Sequence, residues 1–402
     1  AVGSTGSLNF LIIGFCMGVC NGFAIPLAHK FGAGDYRGLR AFMVNAIYLS
    51  AIFAVVMTAV TVVFCRPILE LMRTPDNIID GAYLYIVIIF AGIPATYLYN
   101  LISAIIRSMG DSKTPVVFLV ISSVMNIALD LVFIINLHLG VAGASLATVI
   151  SQAVSGIGCL IYSWKKFEIL HPDAEERRWN SSYMKTLCGM GVPMGLQYSI
   201  TAIGSVILQT AVNGLGSTAV ASVTAAGKIS MFCCCPFDAL GSTMATYAGQ
   251  NVGAKKMDRV NTGILTSSII GSVYSVVILG VMFLWSRQIS LLFVDASETV
   301  ILDQARQMLL INMVFYIPLT LVNVVRFTVQ GMGFSKFAIL AGVCEMIGRS
   351  VVAFFLVPYF GYTAVCFASP VAWILADLFL VPAYLYCAKT LRSLFEKNAQ
   401  MM

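Results

Sequence analysis

The chain has 402 residues, 59% of them hydrophobic and only 10% charged, with a mean hydropathy of +0.90 and a formal charge of +6. A soluble domain carries about 25% charged residues, so a soluble enzyme or binding module is excluded. Runs such as 114–137 are also too long for the roughly ten-residue alternation of a membrane β-barrel. What remains is an all-α polytopic membrane protein. Its basic residues sit in loops, which argues against a nucleic-acid partner.

Hydropathy gives eleven spans: 7–29, 41–65, 80–106, 114–137, 141–164, 187–214, 217–249, 261–285, 300–330, 337–359 and 363–388. The most polar connection, Lys165–Lys185, is the natural linker between an amino-terminal lobe (1–164) and a carboxyl-terminal lobe (186–390), with a tail at 391–402. One set of alternate loops holds 17 Lys and Arg; the other holds four, Arg66, Arg73, Arg287 and Arg306. The positive-inside rule then puts the carboxyl terminus in the cytoplasm and Ala1 outside, in a cell (inner) membrane. Lys228, Arg326 and Arg349 remain, deeper within spans. No basic stretch precedes the first apolar run, so no signal peptide is expected. Most of the 11 Cys lie in apolar runs and read as small apolar residues, and Cys233–Cys235 lacks metal-site spacing.

The halves repeat. Phe31-Gly32-Ala33 returns as Val252-Gly253-Ala254, Ile93-Pro94-Ala95-Thr96 as Ile317-Pro318-Leu319-Thr320, Met109-Gly110-Asp111-Ser112-Lys113 as Met332-Gly333-Phe334-Ser335-Lys336, and Gly140 as Gly361, at offsets of 221–224. Matched segments are six spans apart, an even number, so the repeat is parallel, with a pseudo-twofold along the membrane normal. The second half has a span, 187–214, before its Gly216–Thr218 loop; the first half starts at Ala1-Val2-Gly3-Ser4-Thr5 with none in front. The expectation is a twelve-helix protein seen without its first helix.

Several side chains inside spans could carry chemistry. Asp130 is the lone charge of 114–137, at a cost of about 2.5–3.5 kcal/mol or more near the bilayer centre. Asn126 lies one turn before it on the same face. An amide oxygen and a carboxylate suit Na+, and a carboxylate alone suits H+. The second copy reads Val-Val-Ala at 351–353, so the scaffold does not demand an acid there. Glu345 and Arg349 are i and i+4, which suits an ion pair or a cavity wall. Lys228 and Asp238 share a span, too far apart to pair on straight helix, with Pro236 expected to kink it. Asp377 lies deep in the last span near Trp373. Gln197 and Tyr198 follow Pro193, and Met190, Met194, Met231, Phe232 and Met244 are nearby in sequence; such flexible and aromatic groups suit lipophilic cations. Arg107, Lys113 and Lys336 read as parts of cytoplasmic turns.

The set Pro26-Leu27-Ala28-His29-Lys30-Phe31-Gly32-Ala33-Gly34-Asp35, Arg107 to Pro115, Asn126 to Asp130, Gly140 to Ala144, Ala226-Gly227-Lys228-Ile229 and Ala248 to Ala254 resembles the multidrug and toxic compound extrusion family, in its DinF-like bacterial branch. The resemblance implies two six-helix lobes around a central cavity, of which five and six helices are present here. It implies a monomeric antiporter in lipid, exporting organic cations by alternating access, with Na+ or H+ as coupling ion and no other cofactor. Asp130 and Asn126 would form the coupling site; Gln197, Tyr198, Lys228, Asp238, Glu345, Arg349 and Asp377 would line the substrate cavity. The chain departs from the family pattern at Ser230, where an Asp is expected, at Asp238, and in lacking an acid near Thr320. The alternative is a flippase for a lipid-linked precursor. An enzyme is disfavoured: there is no HExxH, no Gly-x-Ser-x-Gly and no clustered His.

Overall fold

The computed structural model describes residues 5–71 and 76–400; Ala1–Ser4 and Arg73, used above, lie outside these. Every regular element among the described residues is helical. The chain forms two compact units, Ala1–Ser199 and Ile200–Met402. The first contains α1 (Gly6–Gly32), α2 (Tyr36–Leu71), α3 (Asp76–Ala91), α4 (Ile93–Ser108), α5 (Lys113–Leu131), α6 (Gly140–Lys166) and the start of α7 (Ser181–Asn213). The second holds the rest of α7, then α8 (Ser217–Gly253), α9 (Met257–Ser290), α10 (Thr299–Val314), α11 (Tyr316–Gly331), α12 (Ser335–Val351), α13 (Val357–Phe360) and α14 (Tyr362–Gln400).

All eleven expected spans are present, but two are broken. α3 and α4 meet at 45°, α10 and α11 at 54°. The cause is Pro94, the second residue of α4, and Pro318, the third of α11. A proline there has no N–H for the carbonyl four residues back, so the preceding helix cannot run on. Among the described residues, nine helices are long and apolar enough to cross a membrane, eleven when each bent pair counts as one span.

The repeat reaches into backbone detail. α5 and α12 both run into a single π-helical turn, at 132–136 and 352–356. Left-handed residues recur in the same loops: Gly110 (φ 94°) with Gly333 (97°), Gly140 (55°) with Gly361 (57°), Gly34 (72°) with Lys255 (58°). Those glycines adopt positive φ without a steric penalty. α8 runs unbroken through Pro236.

The division between the two compact units falls inside α7, after Ser199. Lipid is as apolar as leucine, so helices in a bilayer associate through close backbone approach and hydrogen bonds. α1 and α7 use glycines for this. A Cβ on Gly22 would sit 2.5 Å from Gly191 Cα, and one on Gly18 2.6 Å from the Met194 carbonyl. That contact draws the start of α7 into the first unit.

Residues 167–180, between α6 and α7, fold back onto the start of α2. Arg40 grips the Glu176 carboxylate with both Nε (2.7 Å) and Nη2 (2.8 Å), Arg37 pairs with Glu175, and Asn45 donates to the Arg178 carbonyl. Trp179 stacks on Tyr48. The core of the second unit is aromatic: Tyr316 meets Phe237 at 5.2 Å and Trp373 at 6.0 Å between ring centroids.

Candidate functional site

Asp130 is the penultimate residue of α5, directly before the π-turn. There the chain bonds i to i+5, Leu137 N–H donating to the Val132 carbonyl at 3.0 Å. Such turns are rare and gather at functional sites. Asp130 is half-buried, and its Oδ1 is buried with no hydrogen-bond partner. Asn126 Nδ2 donates to Thr148 Oγ1 of α6 at 3.4 Å, and Thr148 in turn donates to the Ala144 carbonyl. Tyr85 of α3 is within electrostatic reach of Asp130. The arrangement offers oxygen ligands on α5 and α6 and an unoccupied carboxylate oxygen. A proton or a hard cation would satisfy it.

The second unit gathers five charges. Glu345 of α12 accepts from Arg326 of α11 through Oε1 and from Arg349, one turn on, through Oε2 at 3.3 Å. All three side chains are buried, at 4%, 7% and 10% exposure for Glu345, Arg326 and Arg349. Arg326 also interacts electrostatically with Asp238 of α8 and Asp377 of α14. Three acids stand against two arginines, a formal surplus of one acid. Asp377 Oδ1 is buried without a partner, whereas Asp238 is exposed.

The other expected residues lie elsewhere. Lys228 is exposed, and its Nζ stands 5.8 Å from the centroid of the Phe293 ring. Gln197 and Tyr198 belong to the first unit; Gln197 is buried, and Tyr198 packs where α7 passes Gly14. Met194 and Met244 are core, while Met231 and Phe232 are 67% and 73% exposed.

Two arginines escaped the sequence reading of the site. Arg326 appeared only as a basic residue within a span, yet it is the hub of the second unit's charges. Its lone-charge company with Glu345, Asp238 and Asp377 was the available signal. Arg107 looked like part of a turn. Its Nη2 in fact donates to Asn21 Oδ1 of α1 at 3.0 Å, with Tyr99 and Tyr198 in electrostatic reach.

The model of the MatE family matches residues 1–132 and 193–355, covering most of the chain and both halves of the repeat. The chain belongs to the MatE family. It is 29% identical over 371 residues to the probable multidrug resistance protein YoeA of Bacillus subtilis strain 168, which spans 89% of this chain and 79% of YoeA. It is 29% identical over 267 residues to YpnP, a probable multidrug resistance protein of the same strain, spanning 65% of this chain and 58% of YpnP. Its fold matches that of an outward-facing multidrug resistance MATE transporter of the MOP superfamily with a TM-score of 0.91 at 21% identity, over 97% of this chain and 88% of that one. This MatE chain is therefore a multi-pass membrane transporter and not an enzyme.

Proposed function

We propose that the protein is a cation-coupled exporter of organic, mainly cationic, drugs and toxic compounds, with Asp130 as the coupling acid. The observation that carries this is the Asp130 Oδ1 atom, buried in a membrane span without a hydrogen-bond donor. Leaving a buried carboxylate oxygen unmet is costly, and a group that binds and releases H+ or Na+ must be open for it. Asn126 and Thr148 would supply further oxygens to Na+. Protonation and sodium binding then compete for one site, and either neutralises the acid and favours release of a cationic substrate. The surplus of acids over arginines around Arg326 in the second unit suits the same substrate class, and YoeA and YpnP carry the name probable multidrug resistance protein. Alternating access would carry substrate outward across the cell membrane from the Lys- and Arg-rich, cytoplasmic end.

The test is efflux of a fluorescent lipophilic cation from vesicles containing the protein, with Na+ and H+ gradients imposed separately. Asp130→Asn should express and fold as wild type and lose gradient-driven efflux. A wild-type rate with unchanged dependence on sodium and pH would make Asp130 structural. Transport of a lipid-linked precursor without any response to the dye would favour the flippase reading instead.

A further inference from the structure

The polar end of the second unit holds a cleft of about 450 Å³ between the start of α9 and the end of α14. Asn261, Tyr384, Lys389, Arg392, Ser393 and Glu396 line it. Tyr384 donates to Asn261, and Arg392 Nη2 to Asp258 Oδ1 at 3.1 Å, so the two helix ends are joined at the cleft. The acids do not balance the bases. Along the two helix ends, 255–261 and 384–397, Lys255, Lys256, Arg259, Lys389, Arg392 and Lys397 stand against Asp258 and Glu396, a surplus of four positive charges, and Lys389 and Arg392 line the cleft itself.

The cleft opens onto bare helix. One and two turns into the apolar span from Asn261 stand Leu265 (62% exposed) and Ile269 (55%), and from Leu385 (62%) stand Val381 (44%) and Leu378 (68%). Residues three or four apart share a face. Each strip is about 10–12 Å long at 1.5 Å per residue. A cationic, hydroxyl-bearing mouth above two apolar strips fits a phosphate with two acyl chains.

The repeat shows what such a place requires. At an offset of 221, Asn261 corresponds to Arg40 and Tyr384 to Ser163. In the first unit that place, between the start of α2 and the end of α6, is covered by 167–180, whose Glu175 and Glu176 sit on Arg37 and Arg40. An acidic strap fills the first copy. No described segment covers the second.

We propose that the α9–α14 cleft is a headgroup site for an anionic phospholipid, which takes in the second unit the place of the acidic strap. The proposal rests on the chain lying in a membrane, not on what it transports. Lys389 and Arg392 bind the phosphate, Ser393 and Asn261 donate hydrogen bonds, and the acyl chains follow α9 and α14. Basic pockets between helix ends attract anionic headgroups in this manner.

The experiment is native mass spectrometry of the protein released from mixed phosphatidylglycerol and phosphatidylcholine micelles. The wild type should retain phosphatidylglycerol in preference to phosphatidylcholine. Lys389→Gln should reduce that retention, and with Arg392→Gln the loss should reach about tenfold. Lys389 is exposed, so the single variant reports even where the double one misfolds. Asp258→Asn, which removes the acid competing for Arg392, should raise retention. Lys113→Gln and Lys165→Gln, exposed bases of the first unit, should change nothing. Equal retention of the two lipids, no response to Lys389→Gln, or weaker binding in Asp258→Asn would overturn the site. Displacement of the lipid by inorganic phosphate would make it a soluble-anion site and overturn the lipid assignment.

Discussion

Replacing Glu345 by Gln keeps its shape and removes the one acid that Arg326 and Arg349 share. Both guanidinium groups are nearly enclosed, at 7% and 10% exposure. Removing one partner of a buried ion pair costs about 3–5 kcal/mol, because a charge is left uncompensated. Arg326 keeps the field of Asp238 and Asp377, so the loss stays within that range and does not double. Arg349→Gln should cost less. Glu345 retains Arg326, and only a 3.3 Å contact within one helix disappears. Arg349 already carries an unmet donor, its Nη1 being buried and unbonded. For a unit of about 200 residues, each kcal/mol moves the melting temperature by roughly 2–4 °C. Glu345→Gln should therefore melt about 10 °C below wild type, and Arg349→Gln only a few degrees below. Intrinsic fluorescence in detergent follows the unfolding, since Trp373 is buried beside Tyr316. A triple replacement, Glu345→Leu with Arg326→Met and Arg349→Met, should recover most of the loss, as apolar substitutes for buried ion pairs do. Equal melting temperatures for the two single variants would refute Glu345 as the shared anchor.

Three further outcomes are expected. Gly22→Ala places a Cβ 2.5 Å from the Gly191 backbone, which has no side chain to move aside, and should lower stability by about 1–3 kcal/mol; Gly189→Ala, with open space at the same helix, should raise it by about 0.4–1 kcal/mol in the same melting assay. Burial pushes the Asp111 carboxyl up, but hydrogen bonds from the Thr114 N–H and hydroxyl and from Lys166 outweigh it and hold it at about 2, below its ordinary 3.8. A depressed carboxyl stabilises the fold above its unfolded value and ceases to as pH falls through the folded one. The wild type should thus lose stability between about 3.8 and about 2, and Asp111→Asn should lie lower at neutral pH and lose that slope. Arg40→Gln strips Glu176, whose side chain is 2% exposed, of its charged partner, and trypsin should then cut faster after Arg177 and Arg178.

Much of this was readable from the chain alone. Composition and run length gave the spans, because a bilayer requires about 20 apolar residues per helix. The Ile-Pro-x-Thr repeat even carried the two breaks, although a hydropathy window smooths over a bend that leaves the apolar run uninterrupted. The extent of α7's first-unit contact was not readable, since it depends on Gly22 meeting Gly191 and Gly18 meeting Met194, residues far apart in sequence. For the charged groups, spacing along one helix found Glu345–Arg349. It could not find Arg326–Glu345 or Arg107–Asn21, which join different helices and have no period.

The π-turn after Asp130 has one last implication. It closes α5, and the chain leaves helix at Leu137 before α6 begins at Gly140. A π-turn holds about one residue more than an α-helical turn. How far beyond Asp130 the chain leaves the helix is then a matter of chain length and not of side-chain identity. Replacing Val132 to Asn136 one at a time leaves that count intact. Deleting any one of them brings the exit toward Gly140 one residue closer to the acid, so a conventional substitution scan is blind to the spacing.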